Sequence, residues 1–309
     1  MDAMLYVSTD GGAVWTEKDC HIGEGGCVLV HPESTGLVIA GGKGETSGYP
    51  MVVSYSTDAG STWTPCQLSG INSGTARSLA VAPSQTSTIY AAGDINRSGS
   101  VHVSTDFGAT WTETLTAPAD SVTGLAVHPE HPDWVYAATR GGLFRTTDGG
   151  MTWLNLGAGN GLISVRFYPG SSDTLLVGGD AGVLMSEDQG GHWTPFNQGL
   201  GSARVNCLEF GASDRVRLYA GTEGEACFVY AFPTGISGLG PNAEFHAVRV
   251  LHTRGCLCLD GTADAELFDV RGRRAAELRP GINDIGSLSP GVYIVRQDDG
   301  VTAKVLLVR

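Results

Sequence analysis

The stretch Ser104-Thr105-Asp106-Phe107-Gly108-Ala109-Thr110-Trp111 decides the fold, because it recurs. Earlier copies are Ser8-Thr9-Asp10-Gly11-Gly12-Ala13-Val14-Trp15 and Ser56-Thr57-Asp58-Ala59-Gly60-Ser61-Thr62-Trp63. Later ones are Thr146-Thr147-Asp148-Gly149-Gly150-Met151-Thr152-Trp153 and Ser186-Glu187-Asp188-Gln189-Gly190-Gly191-His192-Trp193. The aspartates stand at 10, 58, 106, 148 and 188, a period of 40 to 48 residues. Such a period signals a repeat architecture. Within each copy a hydroxyl and a carboxylate can bond nearby amides and hold a hairpin loop together. The glycine two places after the aspartate supplies a positive φ. The tryptophan then buries its ring between neighbouring sheets. Five copies of one solvated turn are poor candidates for five active sites, so these residues are expected to be structural.

Between the turns runs a second pattern: a short apolar strand, a turn often bearing proline, and a strand ending in small residues. Ser78-Leu79-Ala80-Val81-Ala82-Pro83 matches Gly124-Leu125-Ala126-Val127-His128-Pro129, and Ile89-Tyr90-Ala91-Ala92 matches Val135-Tyr136-Ala137-Ala138. A third strand enters the motif and a fourth leaves it at the tryptophan. Four short antiparallel strands per period make one blade of a β-propeller. The first strands open on Cys27, Ser78, Gly124, Ser164 and Cys207; these are small, as a crowded innermost strand requires. Whole blades are expected over 22–68, 71–116, 121–157 and 161–197. Residues 203–232 supply three further strands and residues 2–20 supply two. The economical expectation is that the two ends pool into a shared closing blade, about five blades in all. The competing one is a truncated start with upstream blades lost.

Composition agrees. The chain has 309 residues, 45 of them glycine, with no long segment of helical period. No run of 18 apolar residues is present, so no membrane span is expected. The net charge is −13, and residues 1–236 carry 23 acids against 10 Lys and Arg, whereas 237–309 carry 9 of each. That acidic surface argues against nucleic acid as a partner. Seven cysteines show no paired zinc-type spacing. No metal and no cofactor is expected.

The eight-residue motif resembles the Asp-box (BNR) repeat of sialidase-like β-propellers, with Val14 and His192 in place of the usual threonine. Beyond a Gly/Pro/Ser-rich stretch at 234–243, read as a linker closing a propeller of 1–233, residues 244–309 are expected to form a small Ig-like β-sandwich. Leu267-Phe268-Asp269-Val270-Arg271-Gly272-Arg273, Leu288-Ser289-Pro290-Gly291-Val292-Tyr293 and the tail from Lys304 resemble the C-terminal sorting domain of the type IX (Por) secretion system. The resemblance implies the outer-membrane secretion machinery as a partner, and a secreted or cell-surface protein. Such cargo also needs an amino-terminal export signal, which is not visible here.

In sialidases the box lies away from the active site, so the resemblance implies structural roles for Ser8, Asp10, Trp15, Ser56, Asp58, Trp63, Ser104, Asp106, Trp111, Thr146, Asp148, Trp153, Ser186, Asp188 and Trp193. A sialidase would need an arginine-rich blade upstream of the first box, and only seven residues precede it. Arg140, Arg166 and Arg204 could form an anion clamp, but no motif joins them. His128-Pro129-Glu130-His131-Pro132 and His31-Pro32-Glu33 could suggest metal ligands, yet their prolines mark turns. One charged residue ends the second strand of every blade: Lys43, Asp94, Arg140, Asp180 and Glu223. By symmetry these ring the channel mouth on the face opposite the boxes, with Tyr49 and Asn96 in neighbouring loops, and they are the ligand-face candidates. The leading expectation is a non-catalytic propeller binding a glycan or protein through that face. The alternative is an exported glycoside hydrolase of the sialidase/xyloglucanase-like type, since two suitably placed acids suffice for that chemistry.

Overall fold

In the computed structural model the described residues are 5–8, 10, 13–44, 50–68, 73–95, 98–117, 120–197, 199–200, 204–211, 217–223, 227–232, 246–248, 256–259, 265–269, 273–279, 281–284, 291–297 and 302–307. Tyr49, Asn96 and the 234–243 linker lie outside them. All the regular elements among the described residues are strands.

A hairpin of β1 (Leu5–Val7) and β2 (Thr16–Lys18) comes first. Four-stranded sheets follow in chain order. The first holds β3 (Glu24–Val30), β4 (Val38–Lys43), β5 (Met51–Ser56) and β6 (Thr64–Gln67). The second holds β7 (Gly74–Val81), β8 (Ile89–Ile95), β9 (Ser98–Ser104) and β10 (Thr112–Ala117). The third holds β11 (Val122–Val127), β12 (Val135–Thr139), β13 (Gly142–Thr146) and β14 (Leu154–Asn155). The fourth holds β15 (Leu162–Phe167), β16 (Leu175–Gly179), β17 (Gly182–Ser186) and β18 (Thr194–Pro195). The fifth holds β19 (Val205–Gly211), β20 (Arg217–Thr222), β21 (Cys227–Ala231) and β22 (His246–Val248). Each sheet is a meander in which consecutive strands pair antiparallel. The chain is an all-β protein of the β-propeller class.

Among the described residues the shared closing blade is not formed: β1 and β2 pair with each other alone, and the sheet that begins at β19 takes its fourth strand from β22. A meander with a fourth strand within reach of β21 has no vacancy for β1. Further on, β24 (Ala265–Asp269), β25 (Arg274–Leu278), β27 (Gly291–Gln297) and β28 (Thr302–Leu307) form a sheet in the order β25-β24-β27-β28. Beside it in sequence, β23 (Cys256–Leu259) pairs with β26 (Gly281–Asp284). Residues 270–272 and 285–290 of the sorting-domain resemblance lie outside the described residues.

Two compact units divide the chain: Met1–Gly179 with Leu184–Thr194, and Asp180–Val183 with Pro195–Arg309. In the first unit the cores lie between successive sheets. One combines Leu37, Ile39, Met51 and Val53 with Ala76, Ile89 and Ala91, and Trp111 packs against it. The next joins Tyr90 and Val101 to Val122, Leu125 and Val135, with Trp153 against it. A third joins Tyr136 and Leu143 to Leu162, Val165 and Val177, with Trp193 against it. Each ring therefore wedges between its own sheet and the one before, as its position in the turn predicts. Trp63 does the same with Cys20, Ile22, Leu5 and Val38, so the β1–β2 hairpin stands where an upstream blade's outer strands would be. Trp15 differs from the expectation. It is 60% exposed, because among the described residues no earlier sheet offers a face to cover it.

The turn is bonded as its residues predict. Ser104 Oγ donates to Asp106 Oδ1 at 2.7 Å and accepts from Gly108 N at 2.8 Å. Asp106 Oδ1 accepts from Thr110 N at 2.8 Å and Oδ2 from Thr110 Oγ1 at 2.6 Å. Trp111 Nε1 closes the loop on Gly108 O at 2.9 Å. In the fifth copy His192 replaces the threonine, and its Nδ1 lies 2.5 Å from Asp188 Oδ2. The sequence reading missed one feature. The residue directly after the aspartate is also left-handed, with φ 56° at Ala59, 60° at Phe107 and 59° at Gln189.

These bonds favour the ionised carboxylate. The Thr62 amide holds Asp58 down to about 2, the Thr152 hydroxyl does so for Asp148, and the His192 ring for Asp188. A depressed carboxylate contributes stability that is complete above its unfolded value and lost as pH falls through the folded one. The urea midpoint is therefore expected to hold above about pH 4 and to fall steeply between about pH 4 and pH 2. Urea melts across that window check this; a midpoint unchanged down to pH 2 would show that the turns do not depend on the carboxylate charge.

Candidate functional site

The second strands end opposite a β-bulge. In all five sheets the register of strand one slips by a residue, between Gly25 and Cys27, Ala76 and Ser78, Val122 and Gly124, Leu162 and Ser164, and Val205 and Cys207. A bulge bends the strand and re-aims a side chain. In the second sheet the unpaired residue is Arg77, and its Nε donates to Asp94 Oδ1 at 2.7 Å. Ser121 Oγ donates to the same oxygen at 3.3 Å. The Asp94 side chain is only 18% exposed, so its carboxylate is held in one orientation.

Room for this arrangement comes from missing side chains. A Cβ on Gly93 would stand 1.8 Å from the Thr75 carbonyl oxygen, and one on Gly42 or Gly179 would meet the oxygen of Glu24 or Gly161 at 2.3 or 2.4 Å. The innermost strands also run close to one another. Ser78 Oγ accepts from Leu125 N at 3.0 Å, and a Cβ on Gly124 would lie 2.8 Å from Ile163 O. The small residues read from the sequence at these positions are required by that approach.

The remaining candidates are mostly paired within their own surroundings. Lys43 Nζ donates to Glu24 Oε2 at 3.3 Å, directly across the strand pair. In the second unit Asp180 and Glu223 come together on one cation: Arg204 Nε lies 2.9 Å from Asp180 Oδ1, and its Nη1 donates to Glu223 Oε2 at 3.0 Å. Arg140 is exposed and has no carboxylate partner among the described residues. Arg204 is thus committed to two acids, and Arg166 donates to Val165 O at 2.9 Å, which leaves neither poised as part of an anion clamp.

Glu24, Arg77 and Ser121 were missed from sequence, and Arg204 was considered only for an anion clamp. A signal existed in four of the five sheets, where Lys43, Asp94, Arg140 and Glu223 face a strand one that begins near Glu24, Arg77, Asp120 and Arg204; the fourth sheet has no charge between 154 and 165. The His-Pro-Glu turns carry no metal cluster, and among the described residues no three His, Cys, Asp or Glu side chains gather. His31 and His128 are buried, at 2% and 1% exposure. Their Nδ1 atoms accept from the Glu33 and Glu130 amides at 3.3 and 3.1 Å, so the rings cap the turns from inside. Burial pushes His128 below the usual imidazole range, which suits an uncharged cap.

The chain resembles known propellers. The family model described as Sortilin, neurotensin receptor 3 (Sortilin-Vps10) matches residues 51–158. A xyloglucanase of Hypocrea jecorina (strain QM6a) is 27% identical over 257 residues, which is 76% of this chain but 28% of that protein. The chain therefore spans little more than a quarter of its curated relative. Among solved structures, an ancestral GH74 enzyme superposes with a TM-score of 0.65 at 16% identity, covering 97% of this chain and 43% of that one. The GH74 xyloglucanase of Xanthomonas campestris gives 0.52 at 18% identity, covering 92% and 46%. The Niastella koreensis GH74 enzyme gives 0.51 at 22% identity, covering 68% and 36%. These structural likenesses establish the propeller fold.

Proposed function

We propose that the chain is a carbohydrate-directed propeller of the xyloglucanase type, and that a neutral β-glucan is held at the strand-two end of the second sheet, at Asp94. The observation that carries this reading is Asp94, a largely covered carboxylate oriented by Arg77 and Ser121 at 2.7 and 3.3 Å. A fixed charged acceptor bonds sugar hydroxyls well, because it loses no freedom on binding. The match to a curated xyloglucanase across 76% of the chain supports the same reading. Hydrolysis would need two acids, one proton donor and one base or nucleophile; Asp94 is the one we assign.

The test incubates the purified chain with xyloglucan and other β-glucans, scoring retention in affinity electrophoresis and release of reducing ends. Asp94→Asn is run alongside. Retention lost in Asp94→Asn supports the site, and sugar release by the parent that is lost in the variant adds catalysis. Absence of both retention and release in the parent chain would overturn the reading. A second reading, recognition of a protein without chemistry, draws on the sortilin-type match over residues 51–158. We also assign residues 244–309 to export, on the Leu267–Arg273 and Leu288–Tyr293 resemblance. Surface display of the chain with and without residues 244–309 in a host bearing that system checks it.

A further inference from the structure

The turn following β9 contains an anomaly that the fold does not explain. At the left-handed position after the aspartate, other copies carry Ala59, Gly149 or Gln189, whereas this one carries Phe107 at φ 60°. A bulky residue is disfavoured there. Its ring is also 46% exposed. Two unfavourable choices therefore fall on one residue, and among the described residues its one ring neighbour is His31, with centroids 5.6 Å apart. Strain retained at an exposed position is a reason to look for a ligand.

Beside Phe107 lies a cleft of about 380 Å³, lined by Ser34, Leu37, Tyr55, Thr57, Asp106 and Ala109. It sits on the turn side of the sheets, at the opposite strand ends from Lys43 and Asp94, and wholly within the first unit. Leu37 and the two aromatic residues give it an apolar floor. The hydroxyls of Ser34, Tyr55 and Thr57 have no hydrogen-bond partner among the described residues. Asp106 belongs to the rim, but both its oxygens are already bonded to Ser104 and Thr110. Its Oδ1 takes two bonds and its Oδ2 one, and its charge repels anions.

An exposed aromatic face with uncommitted hydroxyls around it, next to a carboxylate, suits an uncharged polyhydroxylated ring. Its C–H face can lie on Phe107 and its hydroxyls can reach the three side-chain oxygens. We infer that this cleft is a second saccharide subsite, taking one neutral pyranose of a β-glucan on the turn side of the propeller. It is independent of the site proposed above and stands on separate residues.

The test uses calorimetric titration with cellotetraose, an oligogalacturonate of equal length and an arginine-rich peptide. All titrations are run in an Asp94→Asn background, so that failure of the strand-two-end site cannot be mistaken for failure here. Binding of cellotetraose is expected to weaken about tenfold or more in Phe107→Gly. The melting temperature of that variant should hold or rise, because glycine relieves the left-handed backbone; lost binding therefore cannot be ascribed to unfolding. Phe107→Trp should keep the affinity, and Thr57→Val should weaken it. Equal cellotetraose affinity in Phe107→Gly and its parent would overturn the inference. So would binding of the anionic or cationic probe as tight as that of the neutral one.

Discussion

Trp63→Ala is expected to destabilise the protein by about 3–5 kcal/mol, while Trp15→Ala shifts it by no more than about 0.5 kcal/mol. The two residues occupy the same place in the same motif, so local sequence predicts equal effects. The difference lies in what covers the ring. Trp63 is 9% exposed, packs with Cys20, Ile22 and Ala40, and donates Nε1 to Gly60 O at 3.1 Å. Removing it leaves a cavity that rigid strands cannot close. Trp15 is 60% exposed, and alanine there surrenders little burial. Denaturant melts of the two variants decide the matter. Equal losses would mean that the turn, not the wedge, carries the stability of the motif.

Gly93→Ala should cost about 3 kcal/mol, near the upper end for overpacking, and should disturb ligand binding as well. The new methyl would stand 1.8 Å from the Thr75 carbonyl oxygen, 2.9 Å from its carbon and 3.1 Å from Ala76 Cα. All three are backbone atoms on the bulged strand, so no side chain can rotate away. Relief requires the bulge to move, and the bulge aims Arg77 at the residue after Gly93. The variant should therefore lose the glycan retention proposed for Asp94 even where it remains folded, as judged by its melting transition. Wild-type stability in Gly93→Ala would show that the strand pair shifts more freely than its register implies.

Much of this fold could be read from the chain because the repeat states it five times. Period, strand order and the role of the tryptophan follow from turn chemistry and short apolar runs, which are local. What escaped the reading depends on neighbours. The exposure of Trp15 is a matter of which sheet faces it, and the pairing of β22 with β21 depends on a return across residues 233–245. The left-handed residue after the aspartate was missed because Phe107 and Gln189 are not the residues that normally signal positive φ. At the site, the charged ends of the second strands were legible as a position class. Their partners were not, since a bulge moves Arg77 out of the two-residue alternation that strand reading relies on.

The meander order also bears on how the molecule reaches its native state. Each described blade pairs strands that follow one another in the chain, and hairpins of this kind close loops of small entropy. Contacts between blades then span a single repeat, so contact order stays low for an all-β chain of this length. Folding is expected to start at any interior blade and spread to its neighbours by nearest-neighbour docking. The β1–β2 hairpin, which among the described residues docks on one sheet, joins last and frays first. Native-state hydrogen exchange should accordingly be slowest in β8, β12 and β16 and fastest in that hairpin.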